Sequence, residues 1–363
     1  MNSKKTIVVG MSGGVDSSVA ALLLKQQGYR VIGMFMKNWE EKDENGTCQS
    51  AKEYDDVARV CNKIDIPYYS VNFTKEYWDN VFAQCLEEFK KGHTPNPDVL
   101  CNREIKFKVL LEKAKELDGD YLATGHYCQI GENDGECQLL KGADPNKDQS
   151  YFLYTITSET LRSVLFPIGG MLKSEVREIA RKHDLPTAEK KDSTGICFIG
   201  ERNFKTFLNQ YIDFQPGDFE NTKGDVVGKH DGVSFYTIGQ RKGLGIGGAG
   251  DAWYVVGKDI PRNVVIIDQG ANHPALFSDR LAATELSWVS PKGPPALPCT
   301  CSSKIRYRQA DHPCTLKEIH EGKALVEFPD PQRAVTPRQS IVFYDGNTCL
   351  GGGTILGESG GQE

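Results

Sequence analysis

The residues best suited to chemistry form a loop rich in glycine and serine near the start of the chain. An apolar run, Thr6 to Gly10, leads into Met11-Ser12-Gly13-Gly14-Val15-Asp16-Ser17-Ser18, and a helical pattern follows at once. Such a turn presents backbone N–H groups and a helix N-terminus at the end of a strand, where phosphate binds. No Lys-Ser or Lys-Thr follows the glycines, so the loop is not of the Walker A type and γ-phosphate transfer is not expected. A plain strand-to-helix turn capped by serines is the alternative.

Two cysteines stand out from the rest as candidates for reactive thiols. Cys101 follows a proline-rich segment at the predicted start of a helix, where the helix dipole and Arg103 favour the thiolate. Cys197 lies in Asp192-Ser193-Thr194-Gly195-Ile196-Cys197-Phe198, directly after Lys190 and Lys191. Either cysteine alone is more often a core thiol. As a pair they fit sulfur chemistry, because transfer of sulfur to an activated carbon needs a persulfide carrier and a second thiol to free the sulfur.

The elements that must position these residues follow an α/β pattern up to about residue 209. Candidate strands are Thr6 to Val9, Val31 to Met36, Tyr68 to Val71 and Tyr121 to Thr124. Candidate helices are Ser17 to Gln27, Ala51 to Ile64, Lys75 to Phe89, Asn102 to Leu117 and Lys173 to His183. This alternation predicts a Rossmann-like, mostly parallel sheet covered by helices on both faces.

The composition and the sequence pattern of the chain change after about residue 210. Glycine and proline become dense, and from about Leu281 short alternating stretches recur with turn signals such as Asp345-Gly346 between them. We predict a catalytic domain over 1–209, a small central linking domain over 210–280 and a C-terminal β-barrel over 281–363. The barrel stretches are Lys304 to Arg308, Ala324 to Phe328 and Ser340 to Tyr344.

Composition limits the class of protein. The 363 residues carry a net charge of −6, which argues mildly against a nucleic-acid partner, although basic residues cluster locally. No apolar run approaches the length of a membrane span, and no signal peptide is evident, so we expect a cytoplasmic protein. The 11 cysteines are odd in number and irregularly spaced, so a disulfide framework is not expected.

The loop at Ser12 to Ser18 resembles that of the ATP pyrophosphatase (PP-loop) superfamily, whose members cleave ATP between its α and β phosphates. The resemblance implies an adenine nucleotide alpha hydrolase-like fold and an ATP site. Its residues would be Gly10, Met11, Ser12, Gly13, Gly14, Val15, Asp16, Ser17, Met36 and Gly125. Asp16 is a candidate ligand for Mg²⁺ on the pyrophosphate. No bound organic cofactor is expected.

A closer resemblance covers nearly the whole chain. The motifs that carry it are FMKNW at Phe35 to Trp39, NPDVLCNREIKF at Asn96 to Phe107, ATGHY at Ala123 to Tyr127, KDQSYFL at Lys147 to Leu153, DSTGICFIGERNF at Asp192 to Phe204, YTIGQRKGLGIGG at Tyr236 to Gly248, KIRYRQ at Lys304 to Gln309 and FYDG at Phe343 to Gly346. Together with the phosphate loop, they resemble the bacterial family of tRNA-specific 2-thiouridylases.

This resemblance implies roles for particular residues. Cys101 would be the nucleophile, Cys197 the persulfide carrier and Asp98 an acid or base. The implied tRNA contacts are Asn96, Pro97, Asp98, His126, Lys147, Asp148, Gln149, Arg306, Tyr307, Arg308 and Gln339. From its place directly after Gly125, His126 could be catalytic or could line the nucleotide pocket, and we favour the pocket. One departure is Pro337-Arg338-Gln339, where the family usually has Pro-Gly-Gln.

The implied reaction has two halves. O2 of a wobble uridine attacks the α-phosphate of ATP, and sulfur carried by Cys197 then replaces AMP at C2. Either Cys101 closes a disulfide with Cys197 while the sulfur is transferred, or it first releases sulfide; the sequence leaves both routes open. The expected partners are tRNAs of the Lys, Glu and Gln type and a sulfur-donor protein, either a cysteine desulfurase or a sulfur-relay protein.

The barrel stretch Lys304 to Arg308 is predicted to be an RNA-binding strand. A period of two would place Lys304, Arg306 and Arg308 on one face, with Ile305 and Tyr307 on the other. Extruding a base from a stacked anticodon costs a few kcal/mol, so contacts elsewhere on the RNA must compensate.

Other interpretations remain open. Cys299, Cys301, His312 and Cys314 could be zinc ligands, but an ordinary pairing of barrel strands explains them equally well. Cys61 and Cys85 lie on apolar helix faces and are expected in the core. An amide-forming synthetase would need no cysteine pair, and an RNA-binding adaptor could retain an inactive loop.

Overall fold

The first half of the chain forms a parallel sheet. The computed structural model describes residues 5–40, 49–192 and 204–357. Its first strands are β1 (Thr6–Met11), β2 (Arg30–Lys37), β3 (Tyr68–Asn72), β4 (Tyr121–Ala123), β5 (Cys128–Asn133), β6 (Glu136–Lys141) and β7 (Val164–Leu165). The order β3-β2-β1-β4-β7 is parallel throughout, as predicted.

Helices cover both faces of this sheet. They are α1 (Val15–Gln26), α2 (Gln49–Lys63), α3 (the consecutive segments Thr74–Tyr77, Trp78–Phe82 and Ala83–Lys90), α4 (Pro97–Leu100, Cys101–Leu110 and Leu111–Glu116), α5 (Ser150–Leu153), α6 (Ser158–Leu161), α7 (Lys173–Lys182) and α8 (Phe204–Leu208). Successive β1 side chains enter different cores. Val8 packs with residues of α3 and α4, whereas Ile7 and Val9 pack with residues of α1 and α2. A strand buried on both faces must be apolar throughout, which explains the run that begins at Thr6.

The C-terminal part closes into an antiparallel barrel. Its strands are β12 (Phe277–Trp288), β13 (Cys299–Lys304), β14 (His312–His320), β15 (Lys323–Arg333), β16 (Ser340–Asp345) and β17 (Thr348–Ile355). They pair in the order β12-β15-β14-β13-β16-β17, and β17 returns to β12. The hairpin β5–β6 adds to the edge of β17 through Cys349 opposite Leu139, so the two halves of the chain share one sheet.

A small sheet lies between these parts in the chain. Its strands are β8 (Gly217–Glu220), β9 (Val226–His230), β10 (Trp253–Asp259) and β11 (Val264–Gln269), in the order β10-β11-β8-β9. Two hydrogen bonds connect this region to the end of α3: Ser234 Oγ, in the segment between β9 and β10, donates to the carbonyl of Phe89 at 2.5 Å, and Lys258 Nζ of β10 donates to that of Gly92 at 2.8 Å. Among the described helices, none has the length and apolar character of a membrane span.

Lys258 predicts a pH dependence of stability. Burial lowers the pKa of Lys258 to about 8 from its ordinary 10.5. The unfolded chain therefore holds this proton more tightly between those values, so stability rises with pH from about 8 to 10.5, and below about 8 this group no longer changes it. We expect a gain of about 3 kcal/mol in the free energy of unfolding, measured by denaturant titration. Lys258→Met should lose this part of the pH dependence; an unchanged profile would contradict the assignment.

The predicted strand Lys304 to Arg308 is wrong. β13 ends at Lys304, and the chain turns over the next four residues, with Arg308 at φ 63°. Lys304 and Ile305 are both buried, so the three cations do not share one exposed face. Local alternation suggested a strand, but tertiary contacts of the Arg306 guanidinium hold this segment as a turn.

Candidate active site

The phosphate loop connects β1 to α1. Gly13 has φ 70°, and a Cβ there would lie 2.7 Å from the carbonyl oxygen of Glu53 in α2, so a side chain is excluded for two reasons. Ser17 Oγ and Ser18 Oγ both donate to the carbonyl of Gly14, at 3.2 and 2.7 Å. Ser17 and Ser18 therefore fix the conformation of the loop from the start of α1, whereas Ser12 is exposed.

Gly125 and Met36 lie at the same edge of the sheet as the phosphate loop. Gly125 follows β4, and a Cβ added to it would lie 2.7 Å from the backbone nitrogen of Ser17. Only a glycine allows this segment to approach the start of α1 so closely. Met36 is half-buried near the end of β2, the strand next to β1. The structure thus brings together the residues that the sequence predicted for ATP.

Asp16 is held by two partners that the sequence did not indicate. The Tyr127 hydroxyl donates to its Oδ1 at 2.7 Å, and Lys173 Nζ donates to both carboxylate oxygens, at 2.7 and 2.8 Å. Burial and the neighbouring Asp16 raise the pKa of Tyr127, so the hydroxyl keeps its proton. Because Lys173 already neutralises Asp16, the predicted Mg²⁺ ligand is engaged in an ion pair.

Asp98 and Cys101 lie on α4, one turn apart. The helix begins at Pro97, a residue whose fixed φ suits the first helical position, so Cys101 lies in the second turn rather than at the predicted start. Its side chain is buried, with the residue 1% exposed. Arg103 is exposed and pairs with Glu104 at 2.7 Å, and its support of a Cys101 thiolate stays a prediction.

The environment of Asp98 suits a proton donor or acceptor. Burial raises the pKa of Asp98, and the charge of Lys106 opposes that rise. Lys106 Nζ also lies 3.4 Å from His126 Nε2, and His126 Nδ1 lies 2.7 Å from Thr124 Oγ1. Burial, aided by Lys106, lowers the pKa of His126 well below its usual value, so the ring is neutral. Lys106 and His126 thus connect α4 to the segment that contains Gly125.

A hydrogen bond from the barrel region fixes the loop that precedes α4. Gln339 Nε2 donates to the carbonyl of Thr94 at 2.7 Å, which brings Gln339 next to the predicted base-recognition residues 96–98. Arg338 has φ 67°, a conformation that favours glycine and fits the glycine usual in the resembling family. Its guanidinium makes a two-pronged ion pair with Glu88 of α3, at 2.5 and 2.6 Å. Burial would raise the pKa of Glu88, but hydrogen bonds from Arg338 and His93, together with the charges of Arg338 and Lys91, outweigh it and lower the pKa to about 2.

The predicted tRNA contacts at 147–149 are bonded inside the protein. Lys147 Nζ pairs with Asp192 at 2.6 Å, and Gln149 Oε1 accepts from the backbone of Tyr127 at 3.0 Å. Asp148 is buried and accepts from Ser150 and, at 3.1 Å, from Lys304 of the barrel. The structure therefore gives Asp148 an internal role that joins the barrel to the first half of the chain.

The barrel residues 306–308 differ in exposure. The Arg306 guanidinium is directed inward and donates to the carbonyls of Ile238 and Ala334, at 2.7 and 2.9 Å. Tyr307 packs on Phe152, with ring centroids 4.5 Å apart. Arg308 is exposed, so in this turn it is the cation open to a partner.

Cys197 lies outside the described residues, and Asp192 is the last described residue before it. Asp192 pairs with Lys147, Lys173 and Arg177, at 2.6, 2.9 and 2.7 Å. Burial would raise the pKa of Asp192, but the hydrogen bonds from Lys147 and Lys173 outweigh it and lower the pKa. Sequence reasoning missed Lys173 and Tyr127 as site residues, although Tyr127 belongs to a quoted motif.

Among the cysteines outside the proposed pair, none that the structure describes belongs to a metal-binding cluster. Cys301 and Cys314 face each other across β13 and β14 with sulfurs 3.6 Å apart, as the barrel pairing predicted. Within the described ranges, no cluster of three or more His, Cys, Asp or Glu side chains could hold a metal ion. Cys61 and Cys85 are buried, as expected, and burial raises the pKa of both thiols to about 12.

A parallel sheet with its glycine-rich loop between β1 and α1 defines an ATP-using α/β protein of the PP-loop class. Family models match residues 5–201 (tRNA methyl transferase HUP domain), 205–269 (tRNA methyl transferase PRC-barrel domain) and 278–355 (Aminomethyltransferase beta-barrel domain). A 4-thiouridine synthetase, solved with RNA and bound ATP, is 18% identical with a TM-score of 0.35, over 57% of this chain and 49% of that one.

Curated relatives match almost end to end. A tRNA-specific 2-thiouridylase MnmA of Protochlamydia amoebophila is 66% identical over 98% of this chain and 94% of its own length. The MnmA of Bacillus subtilis is 59% identical over 96% of this chain and 94% of its own. The chain belongs to the MnmA family of tRNA-specific 2-thiouridylases.

Proposed function

We propose that the chain is a tRNA-uridine 2-sulfurtransferase that uses ATP to activate the wobble uridine and replaces its O2 with sulfur. The supporting observation is the link between the two halves of the site. Asp98 and Cys101 share α4 with Lys106, and Lys106 contacts His126, which follows the glycine packed against the phosphate loop. This contact supports the proposal because it would connect nucleotide activation with thiol chemistry.

The first half-reaction is adenylation. O2 of the uridine attacks the α-phosphorus, and the N–H groups of Ser12 to Gly14 stabilise the departing pyrophosphate. Asp98 exchanges a proton near the uridine ring, a role that suits it because burial raises its pKa. Mg²⁺ does not fit as an ion bound by the protein at Asp16, since Lys173 and Tyr127 occupy that carboxylate. We propose that any Mg²⁺ arrives on the phosphates of ATP.

The second half-reaction is sulfur transfer. The terminal sulfur of a persulfide on Cys197 attacks C2, and AMP leaves with the original oxygen. The Cys101 thiolate then attacks Cys197 Sγ, which forms a Cys101–Cys197 disulfide and leaves the sulfur on the uridine. In the second route, Cys101 attacks the persulfide first and the released sulfide attacks C2. Both routes consume two thiol equivalents and require an external reductant.

The partners and organisation follow from this proposal. We propose tRNAs of the Lys, Glu and Gln type as substrates, a cysteine desulfurase or relay protein as sulfur donor, and a cytoplasmic location. We also propose functional domains over 1–209, 210–280 and 281–363, the first catalytic and the last binding tRNA. Asn96 to Asp98 would meet the flipped base, aided by His126 and Gln339.

The test weighs the product nucleosides. Protein, ATP, Mg²⁺, a persulfide donor and unmodified tRNA are incubated, and the digested nucleosides are analysed by mass spectrometry. We expect a uridine in which one sulfur replaces one oxygen, formed only with ATP. Unmodified uridine with persulfide-loaded protein would refute the proposal.

Arg308 allows a separate test of the RNA surface. Because Arg306 holds the turn internally, charge reversal there would disturb the fold; Arg308 is exposed and can be changed alone. We expect Arg308→Glu to weaken tRNA binding about 3- to 10-fold. The slope of log affinity against log salt concentration should also become shallower by about one, the equivalent of one released counterion. Lys317→Glu, on the half-exposed face of β14, is the control for nonspecific charge. If Arg308→Glu left the tRNA affinity and its salt dependence unchanged, Arg308 would not be part of the tRNA-binding surface.

A further inference from the structure

We propose that Lys173 is a polyphosphate-binding residue of the ATP site, the cation that lets the acidic phosphate loop accept a nucleotide. The inference rests on the ATP use of the proposed function. It concerns a side chain at the first position of α7, 157 residues from Asp16 in the chain.

The position of Lys173 is fixed on two sides. Its ammonium donates to both oxygens of Asp16, at 2.7 and 2.8 Å, and lies 2.9 Å from Asp192 Oδ1. The side chain is only 12% exposed, and its Nζ is 5.7 Å from the centroid of the Tyr127 ring. A charged group held this firmly beside the loop is a built feature of the site rather than a solvated surface lysine.

The charges at the loop require such a cation. Asp16 lies in the first turn of α1, beside the N–H groups that would receive phosphate, so a bound polyphosphate brings several negative charges close to this carboxylate. Like charges at that distance repel strongly in a partly buried site. An ammonium has three donors, which here meet two oxygens of Asp16 and one of Asp192. Lys173 can therefore give one donor to a phosphate oxygen by releasing one oxygen of Asp16, and still keep one bond to each carboxylate.

Neighbouring groups support this reading. Asp192 is also paired with Lys147 and Arg177, so these two cations offset its charge and leave Lys173 to offset Asp16, while the buried Asp144 accepts from the backbone N–H of Lys173 at 3.0 Å. Lys190 lies on the other side of the loop and donates to the carbonyl of Gly13 at 2.9 Å, but it is paired with Asp56. Of these cations, Lys173 is the one that contacts Asp16, in the first turn of α1 directly after the glycines.

The test compares ATP with AMP as ligands of the full chain, without tRNA or sulfur donor, by isothermal titration. We expect Lys173→Met to weaken ATP binding about 10- to 100-fold, the effect of losing a charge-assisted hydrogen bond, and to leave AMP binding nearly unchanged. Lys173→Arg keeps the charge and should bind ATP more tightly than Lys173→Met. Lys182→Met, exposed at the other end of α7, is the matched control and should behave as wild type.

Two results would overturn the proposal. Unchanged ATP affinity in Lys173→Met would show that the ammonium does not reach the phosphates. An equal loss for ATP and AMP, with Lys173→Arg no better than Lys173→Met, would show that Lys173 only supports the loop structure. Neither result depends on sulfur transfer, so a failure of thiolation with normal ATP discrimination would count against the proposed function alone.

Discussion

Cys101→Ser is expected to lower thiolation of tRNA by at least about 1,000-fold while ATP binding stays within about twofold of wild type. A serine hydroxyl is not ionised near neutral pH and cannot attack a sulfur to free it. ATP binding is spared because Cys101 belongs to α4, whereas the phosphate loop lies between β1 and α1. Cys197→Ser should show the same loss.

A control separates chemistry from packing in this experiment. Cys101 is buried, so its replacement by a polar hydroxyl could also destabilise the helix. Cys85→Ser, at a fully buried position of α3, measures the cost of such a change away from the proposed chemistry. We expect Cys85→Ser to lower thermal stability but to keep thiolation in the folded fraction. If Cys101→Ser retained more than a tenth of wild-type thiolation, Cys101 would not be the nucleophile.

Gly125→Ala is expected to weaken ATP binding by at least about 100-fold. The new methyl group would lie 2.7 Å from Ser17 N and 2.8 Å from the Asp16 carbonyl carbon, both of them backbone atoms that cannot rotate away. The start of α1 must therefore shift, and displacement of a binding group by about 1 Å costs roughly this factor. ATP titration measures the loss directly.

Gly170→Ala is the matched control for Gly125→Ala. Gly170 also lies in the first half of the chain, its φ is not positive, and a Cβ there would meet only a side-chain oxygen of Gln129 at 3.6 Å. We expect Gly170→Ala to bind ATP as wild type does. Normal ATP affinity in Gly125→Ala would show that the nucleotide does not use this face of the loop.

The predicted parallel sheet was correct because its signals are local. A strand buried on both faces, such as β1, must be a continuous apolar run, and the helices carry apolar residues at helical spacing. The hairpin β5–β6 was missed although Asp134 and Gly135, both with positive φ, form the kind of turn that joins such strands. Its membership in the barrel sheet depends on pairing with β17, more than 200 residues later, which no local pattern reveals.

The site was predicted unevenly for the same reason. The close backbone approach of the phosphate loop was predicted from its own glycines, whereas Gly125 was named only from the resemblance; the structure shows the tight packing of both Gly13 and Gly125, and their roles in ATP binding stay predictions. Lys173 was missed because an ion pair between distant residues leaves no periodic signal. The strand assigned to Lys304 to Arg308 failed because hydrogen bonds from Arg306 to two distant carbonyls override its alternating pattern.

The most direct test of the central claim is a single turnover without reductant. Persulfide-loaded protein is mixed with ATP, Mg²⁺ and unmodified tRNA, quenched by alkylation, and divided for peptide and nucleoside mass spectrometry. Cooperation of Cys101 and Cys197 predicts a disulfide-linked peptide pair, AMP and 2-thiouridine in equal amounts. Thiouridine formed while both cysteines remain alkylatable would contradict it.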